Sequence, residues 1–251
     1  MHIWQATKGE KHLVTISEKI QRMVESQSYI ATRSLVDSDE EQRILEEELE
    51  KSKPPFPERN GRGKLHWLLF TPFRYPPLQN GGRFHSRTEQ SLFYGAKELE
   101  TVMAEIAYKR FVFRACSKAT IQAMNVDYTK FAVKIKTNKG IDLTATPFSR
   151  YRNIISNPLS HIESQTLGHE MRNAGVEAFL FFSARVKNGI NCGAISVEAF
   201  ANNKPEENDD WVIYDSEQFI EFRRHLPIKK SETKIFPLKN FLVGGSLPLF
   251  S

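Results

Sequence analysis

Cysteine is scarce: the 251 residues include two, Cys116 and Cys192. Two thiols make no disulfide framework, and without a CxxC spacing they suggest no zinc site. Both read as reduced, partly buried side chains. Long hydrophobic runs are missing as well. No stretch approaches the roughly 18 or more apolar residues that a membrane span requires. The opening residues, Met-His-Ile-Trp-Gln-Ala-Thr-Lys, carry no apolar signal region. A cytoplasmic protein with no membrane partner is the expectation. Seven histidines are scattered along the chain without an HExxH pair, so no metal site is predicted. Ser183 lacks the GxSxG flanks of a hydrolase nucleophile. There is no internal repeat.

Apolar residues make up 40% of the chain, enough for a core, and 18 of them are phenylalanine, which suggests aromatic walls in a core or cleft. The net charge of +5 is uneven. Asp37 to Lys53 holds eight acids and three bases, so the remainder carries +10. A basic body can attract nucleic acid or an anionic small molecule such as a phosphate ester. The bases are scattered and no nucleic-acid-binding signature is visible. The anionic small molecule is the better reading, and direct nucleic-acid binding is not expected. A basic nucleic-acid-binding or scaffold protein with an acidic dimerisation arm is the rival of another class. Charge alone supports it.

Residues 1–55 read as a helical extension. Ile16, Ile20, Met23 and Val24 have helical spacing, and Ser38 or Asp39 can cap an acidic helix through Glu50 with Ile44, Leu45 and Leu49 on one face. Its acids are either a solvated face or a surface for a partner or a second copy, as in a homodimer. Lys53-Pro54-Pro55-Phe56-Pro57 stops the helix, and 51–63 reads as a linker. The main domain, 64–251, begins with a buried strand over Leu65–Phe70, then a rigid loop over residues 71–77 and a turn at Gln79-Asn80-Gly81-Gly82. Ser91–Tyr94 reads as a short strand. Glu98 to about Phe113 is the strongest helix, with Leu99, Val102, Met103, Ile106 and Arg110 on one stripe. Further expectations are a strand at Lys130–Thr137, a helix at Ser164–Ala174 closed by Gly175, strands at Val176–Phe182, Gly193–Phe200 and Trp211–Tyr214, and a late helix at Ser216–His225. Without βαβ regularity, the expected class is α+β, with a mixed, mainly antiparallel sheet and flanking helices.

Arg83, Tyr94 and Glu105 recur eleven residues apart across one turn–strand–helix unit. Together they can bind an anion, border a flat ring and stabilise a cation. Arg83 follows two glycines, and its guanidinium fork suits a phosphate or pyrophosphate; it also fits a surface arginine closing a hairpin. Arg74 is a second anion candidate. Tyr94 ends an apolar run and fits a core aromatic with a wet hydroxyl equally well. Glu105 lies at the margin of the helix's apolar stripe, where a helix leaves the core for a cleft. A plain surface glutamate paired with Lys109 at i+4 is its bland alternative. Ser183, just past the apolar Phe179–Phe182 run, is either a ligand contact or a strand-end turn.

The ordered set Phe73-Arg74-Tyr75-Pro76-Pro77-Leu78, Gly82-Arg83-Phe84, Tyr94-Gly95, Thr101-Val102-Met103-Ala104-Glu105 and Ala107-Tyr108 resembles the RES domain family. Leu167–Gly175, Ala178–Phe182, Ser183-Ala184-Arg185 and Gly189-Ile190-Asn191 continue the likeness, which spans roughly Leu65 to Phe200. Many relatives have Trp-Asn where this chain has Phe84-His85. The resemblance implies an ADP-ribosyltransferase-like fold and an enzyme that degrades NAD+ at the nicotinamide–ribose bond. Inorganic phosphate would be the co-substrate, no metal would take part, and some relatives modify a protein instead. It implies a toxin neutralised by a cognate antitoxin. It assigns Glu105 to stabilising the sugar cation, Tyr94 to bordering the nicotinamide, Arg83 helped by Arg74 to the pyrophosphate or attacking phosphate, and Ser183 to the nicotinamide or its ribose.

Overall fold

The structure is a computed structural model that describes residues 2–26, 35–55, 57, 63–75, 79, 81–224 and 232–249. In chain order the elements are α1 (Ile3–Thr7), β1 (Val14–Glu25), α2 (Asp39–Ser52), α3 (Trp67–Arg74), β2 (Phe93–Ala96), α4 (Leu99–Cys116), β3 (Met124–Asp142), α5 (Arg152–Ile155), α6 (Ile162–Asn173), β4 (Ala178–Phe182), β5 (Ile190–Ala194), β6 (Glu206–Asp215), β7 (Phe219–Arg224) and β8 (Glu232–Pro237), joined in places by short 3-10 turns.

The strands form one sheet in the order β1-β2-β5-β4-β3-β6-β7-β8, and β1 also pairs with β3. That extra pairing closes the first five strands into a ring. β3 and β4 run parallel, and the other pairings are antiparallel. The class is therefore α+β with a mixed, mainly antiparallel sheet, as the sequence indicates. One core cluster takes side chains from every ring strand, among them Ile20, Phe93, Phe131, Leu180 and Cys192, together with Leu68, Leu69 and Phe73 of α3. The ring is thus filled and α3 plugs it. A second cluster lies under α4, and a third joins α6, α1 and Phe84.

Four elements differ from the expectation. The strand expected at Gly193–Phe200 runs instead over Ile190–Ala194, and Val197–Ala199 beyond it forms a 3-10 turn begun by Ser196 Oγ accepting from Glu198 N–H. Val14–Glu25 is a strand and not part of a helical extension. Ile16 and Ile20 face the cluster inside the ring while Met23 joins the cluster under α4, so the strand is buried on both faces towards its end and on one face before it. A strand buried on both faces loses its alternation. Residues 67–74, read as the end of a strand and the start of a loop, are helical: the His66 side chain accepts from Leu68 N–H, and the apolar run is buried because it plugs the ring. Phe219–Arg224 is an edge-side strand and not a helix, with Ile220 and Phe222 turned into the core. The acidic helix forms as expected, capped by Ser38 Oγ accepting from Glu41 N–H. Met1, Phe56, Pro76, Pro77, Leu78, Asn80 and His225, named in these expectations, lie outside the described residues.

Candidate functional site

Helix α4 carries Glu105. Val102, Met103, Ala107 and Phe111 are buried against the sheet, and Glu105 is half-buried on the flank of that stripe. The rotation of the helix is fixed at its far end. Asp215, fully buried, receives Arg110 Nε at 2.6 Å and Arg114 Nε at 2.5 Å. Arg114 also donates to the Asp215 carbonyl at 2.7 Å, and Arg110 to Glu25 at 2.7 Å. Charge-assisted forks of this kind specify geometry as well as contributing energy.

The i+4 ion pair with Lys109 does not form. Instead, Glu105 Oε1 accepts from Ser183 Oγ at 2.7 Å and from Asn191 Nδ2 at 2.9 Å. Ser183 sits just beyond β4, and its Oγ also accepts from the backbone N–H groups of Arg185 and Val186, at 3.0 and 3.1 Å. Its hydroxyl proton is therefore left for the carboxylate. Asn191 is on β5, next to β4 in the sheet. Two adjacent strands thus hold one oxygen, and Oε2 takes no protein donor among the described residues.

Cations gather around this carboxylate. Arg83 leaves a turn in which Gly81 adopts φ +68° and Gly82 N–H donates to the His85 carbonyl at 2.9 Å. Its Nη1 donates to the Asn157 and Ile155 carbonyls at 2.8 and 3.3 Å. Arg185 lies with Cζ 3.4 Å from the centroid of the Tyr108 ring. Burial lowers the pKa of both guanidinium groups; Glu105 opposes that shift in each, while Arg185 adds to it at Arg83. Two desolvated cations sharing one carboxylate favour an added anion. His161 is pushed down to about 3, first by burial and then by Arg83 and Arg185, so it is neutral at physiological pH.

Tyr94 stands edge-on to Phe181, ring centroids 6.4 Å apart. Its hydroxyl accepts from Phe84 N–H at 3.2 Å, which ties the Arg83 turn to β2. Burial raises its pKa. Helix α6 backs the same turn: a Cβ on Gly168 would lie 2.0 Å from the Phe84 carbonyl oxygen, so only glycine permits this approach.

The structure brings together Glu105, Arg83, Tyr94 and Ser183 of the sequence candidates. Arg74 is not among them. Its guanidinium is committed to Glu50 at 2.7 Å and the Pro54 carbonyl at 2.6 Å, fastening α2 to α3. Asn191, Arg185, Tyr108 and His161 escaped assignment. Asn191 and Arg185 were visible in the Gly-x-Asn and Ser-x-Arg elements, and Tyr108 stands one helical turn from Glu105. Nothing in the sequence marked His161. Among the described residues, no group of three or more His, Cys, Asp or Glu could hold a metal ion, and no helix is long and apolar enough to cross a membrane.

Fold and site define an α+β protein with an oriented carboxylate set among buried guanidinium groups, outside a filled strand ring. The chain belongs to the RES domain family, whose model matches residues 58–215. Among solved structures it is similar to a chain of the M. tuberculosis MbcT–MbcA toxin–antitoxin complex, with 14% identity, TM-score 0.48, and coverage of 83% of this chain and 91% of that one. No curated protein matches it.

Proposed function

We propose that the chain consumes NAD+ by breaking the nicotinamide–ribose bond and passing the ADP-ribosyl group to inorganic phosphate. Membership of the RES family supports this. The observation that carries it is Glu105, held through Oε1 by Ser183 and Asn191, with Oε2 open and Arg83 and Arg185 nearby.

As the glycosidic C–N bond breaks, its electron pair returns to the pyridinium nitrogen and neutral nicotinamide leaves. No general acid is required. Positive charge builds on the ribose, as in glycoside cleavage, and the open oxygen of Glu105 meets it. A phosphate oxygen then donates its electron pair to the ribose carbon, which gives ADP-ribose 1″-phosphate. Arg83 and Arg185 hold the pyrophosphate or the attacking phosphate. Tyr94 borders the nicotinamide and fixes the turn that bears Arg83. Ser183 and Asn191 act on Glu105 and not on the substrate. A preorganised carboxylate saves reorganisation at the moment of reaction, which is worth on the order of 3–4 kcal/mol per polar contact.

The reading extends to a cytoplasmic toxin restrained by a cognate antitoxin. The test is NAD+ loss by purified protein with and without phosphate, beside Glu105→Ala. Loss that is faster with phosphate and drops at least ~100-fold in the variant supports the proposal. Equal loss in the variant overturns the site. A labelled protein band from lysate with labelled NAD+ would favour protein ADP-ribosylation.

A further inference from the structure

Past β8 the chain doubles back onto α4. A 3-10 turn, Leu238–Phe241, packs Phe241 near Phe111 and Tyr108, at centroid distances of 5.6 and 6.3 Å. Val243 and Ser246 then exchange backbone hydrogen bonds of 2.9 and 3.2 Å across Gly244 and Gly245, at φ +59° and +85°. Two successive residues with positive φ are the signature of a two-residue reversal. It returns the chain so that Leu247 packs on the cluster under α4 and the Pro248 carbonyl accepts from Tyr108 Oη at 2.6 Å.

Tyr108 is 5% exposed and bears Arg185 on its ring. Burial raises the Tyr108 pKa, and the Arg185 charge is first among the groups that oppose the rise. A tyrosine hydroxyl has one proton and two lone pairs. With the proton committed to Pro248, the hydroxyl can act towards Arg185 only as an acceptor. The carbonyl therefore fixes the orientation of the hydroxyl beside the guanidinium, and the ring supplies the cation–π seat. This chain of contacts, Pro248 to Tyr108 to Arg185, lies partly outside residues 58–215.

We infer that the segment Val243–Pro248 is a built part of the site, with Pro248 and Tyr108 positioning Arg185 to hold a phosphate-class anion. The inference rests on the proposed reaction and makes the placing of an anion-holding arginine depend on a segment beyond residues 58–215. The Pro248 carbonyl acts only through Tyr108, so breaking either link should have the same consequence.

Three variants test it: Tyr108→Phe, a chain ended after Ser246, and the two combined. Steady-state KM values for NAD+ and for inorganic phosphate are measured separately, with calorimetric titration of ADP-ribose and of inorganic phosphate. Each single variant should raise one KM about five- to tenfold, with a smaller change in kcat. The combined variant should match the singles, because coupled residues are not additive. A raised KM for NAD+ with weakened ADP-ribose binding identifies the pyrophosphate as the anion; a raised KM for phosphate identifies the co-substrate. The shortened chain loses Leu247 packing and melts earlier, whereas Tyr108→Phe retains its melting temperature, which separates stability from positioning. Multiplying losses in the combined variant, or unchanged KM and binding in the shortened chain, overturns the inference while the proposed reaction stands. If the intact chain consumes no NAD+, the reaction fails, and the titrations alone decide whether the segment positions Arg185 for a phosphate-class anion.

Discussion

Asn191→Ala removes one of two donors to Glu105 Oε1 and leaves Ser183 in place. Hydrogen bonds to a charged group contribute about 1.5–3 kcal/mol net. With the second donor retained, a loss near the lower half of that range is expected, about 10- to 40-fold in rate at 1.36 kcal/mol per decade. The loss should fall on kcat with KM for NAD+ within about twofold, because the carboxylate meets charge that exists only in the transition state. Ser183→Ala should act in the same way and also loosen the turn whose Arg185 and Val186 N–H groups Ser183 accepts. The decisive assay is a cycle in the Glu105→Ala background. If Ser183 and Asn191 work through the carboxylate, neither alanine costs more once the carboxylate is gone. A further tenfold loss from Ser183→Ala there, or a KM effect in place of kcat, would refute the reasoning and return Ser183 to direct substrate contact.

Other perturbations probe the scaffold. Arg74→Ala should leave kcat/KM for NAD+ within about threefold, since its partners are Glu50 and Pro54; a loss comparable with that of Arg83→Ala would restore it to the site. Gly168→Ala places a Cβ against the Phe84 carbonyl and should destabilise the fold by about 1–3 kcal/mol in urea denaturation. It should also reduce activity by displacing the Arg83 turn. An unchanged midpoint would contradict the close approach. Burial, aided by neighbouring cations, holds His85 down to about 4 and His161 down to about 3. Both are lowered from an unfolded value near 6.5. The unfolded chain therefore binds protons there that the folded chain refuses. Their contribution is complete above pH ~6.5 and declines as pH falls towards 4 and 3. Thermal melts at pH 7 and 5 should show the fall, and His85→Gln should flatten its upper part.

The legibility of the chain followed its environments. α4 was readable because Leu99, Val102, Met103 and Ile106 all pack on the second cluster while Glu100 and Lys109 stay exposed, so the apolar period survived. β3 was readable for the same reason: Phe131, Val133 and Ile135 are buried, while Lys134 and Lys136 stay outside. β1 was not, because Ile16 and Ile20 serve one core cluster and Met23 another. α3 was not, because a helix that plugs a strand ring shows apolar residues on several sides. The pairing of β1 with β3 joins residues more than a hundred positions apart, and no local pattern announces it. At the site, residue types and order suggested Glu105, Arg83, Tyr94 and Ser183. Which of them touch each other was hidden. Ser183 turned out to face Glu105, Arg74 to face Glu50, and Arg185 to lie on a tyrosine whose hydroxyl reaches the Pro248 carbonyl.

The most direct test of the central claim is mass spectrometry of the products formed from NAD+ in the presence of inorganic phosphate. The account predicts equimolar nicotinamide and ADP-ribose 1″-phosphate from the intact chain and neither from Glu105→Ala. NAD+ recovered whole, or cleaved at the pyrophosphate to give nicotinamide mononucleotide, would contradict it.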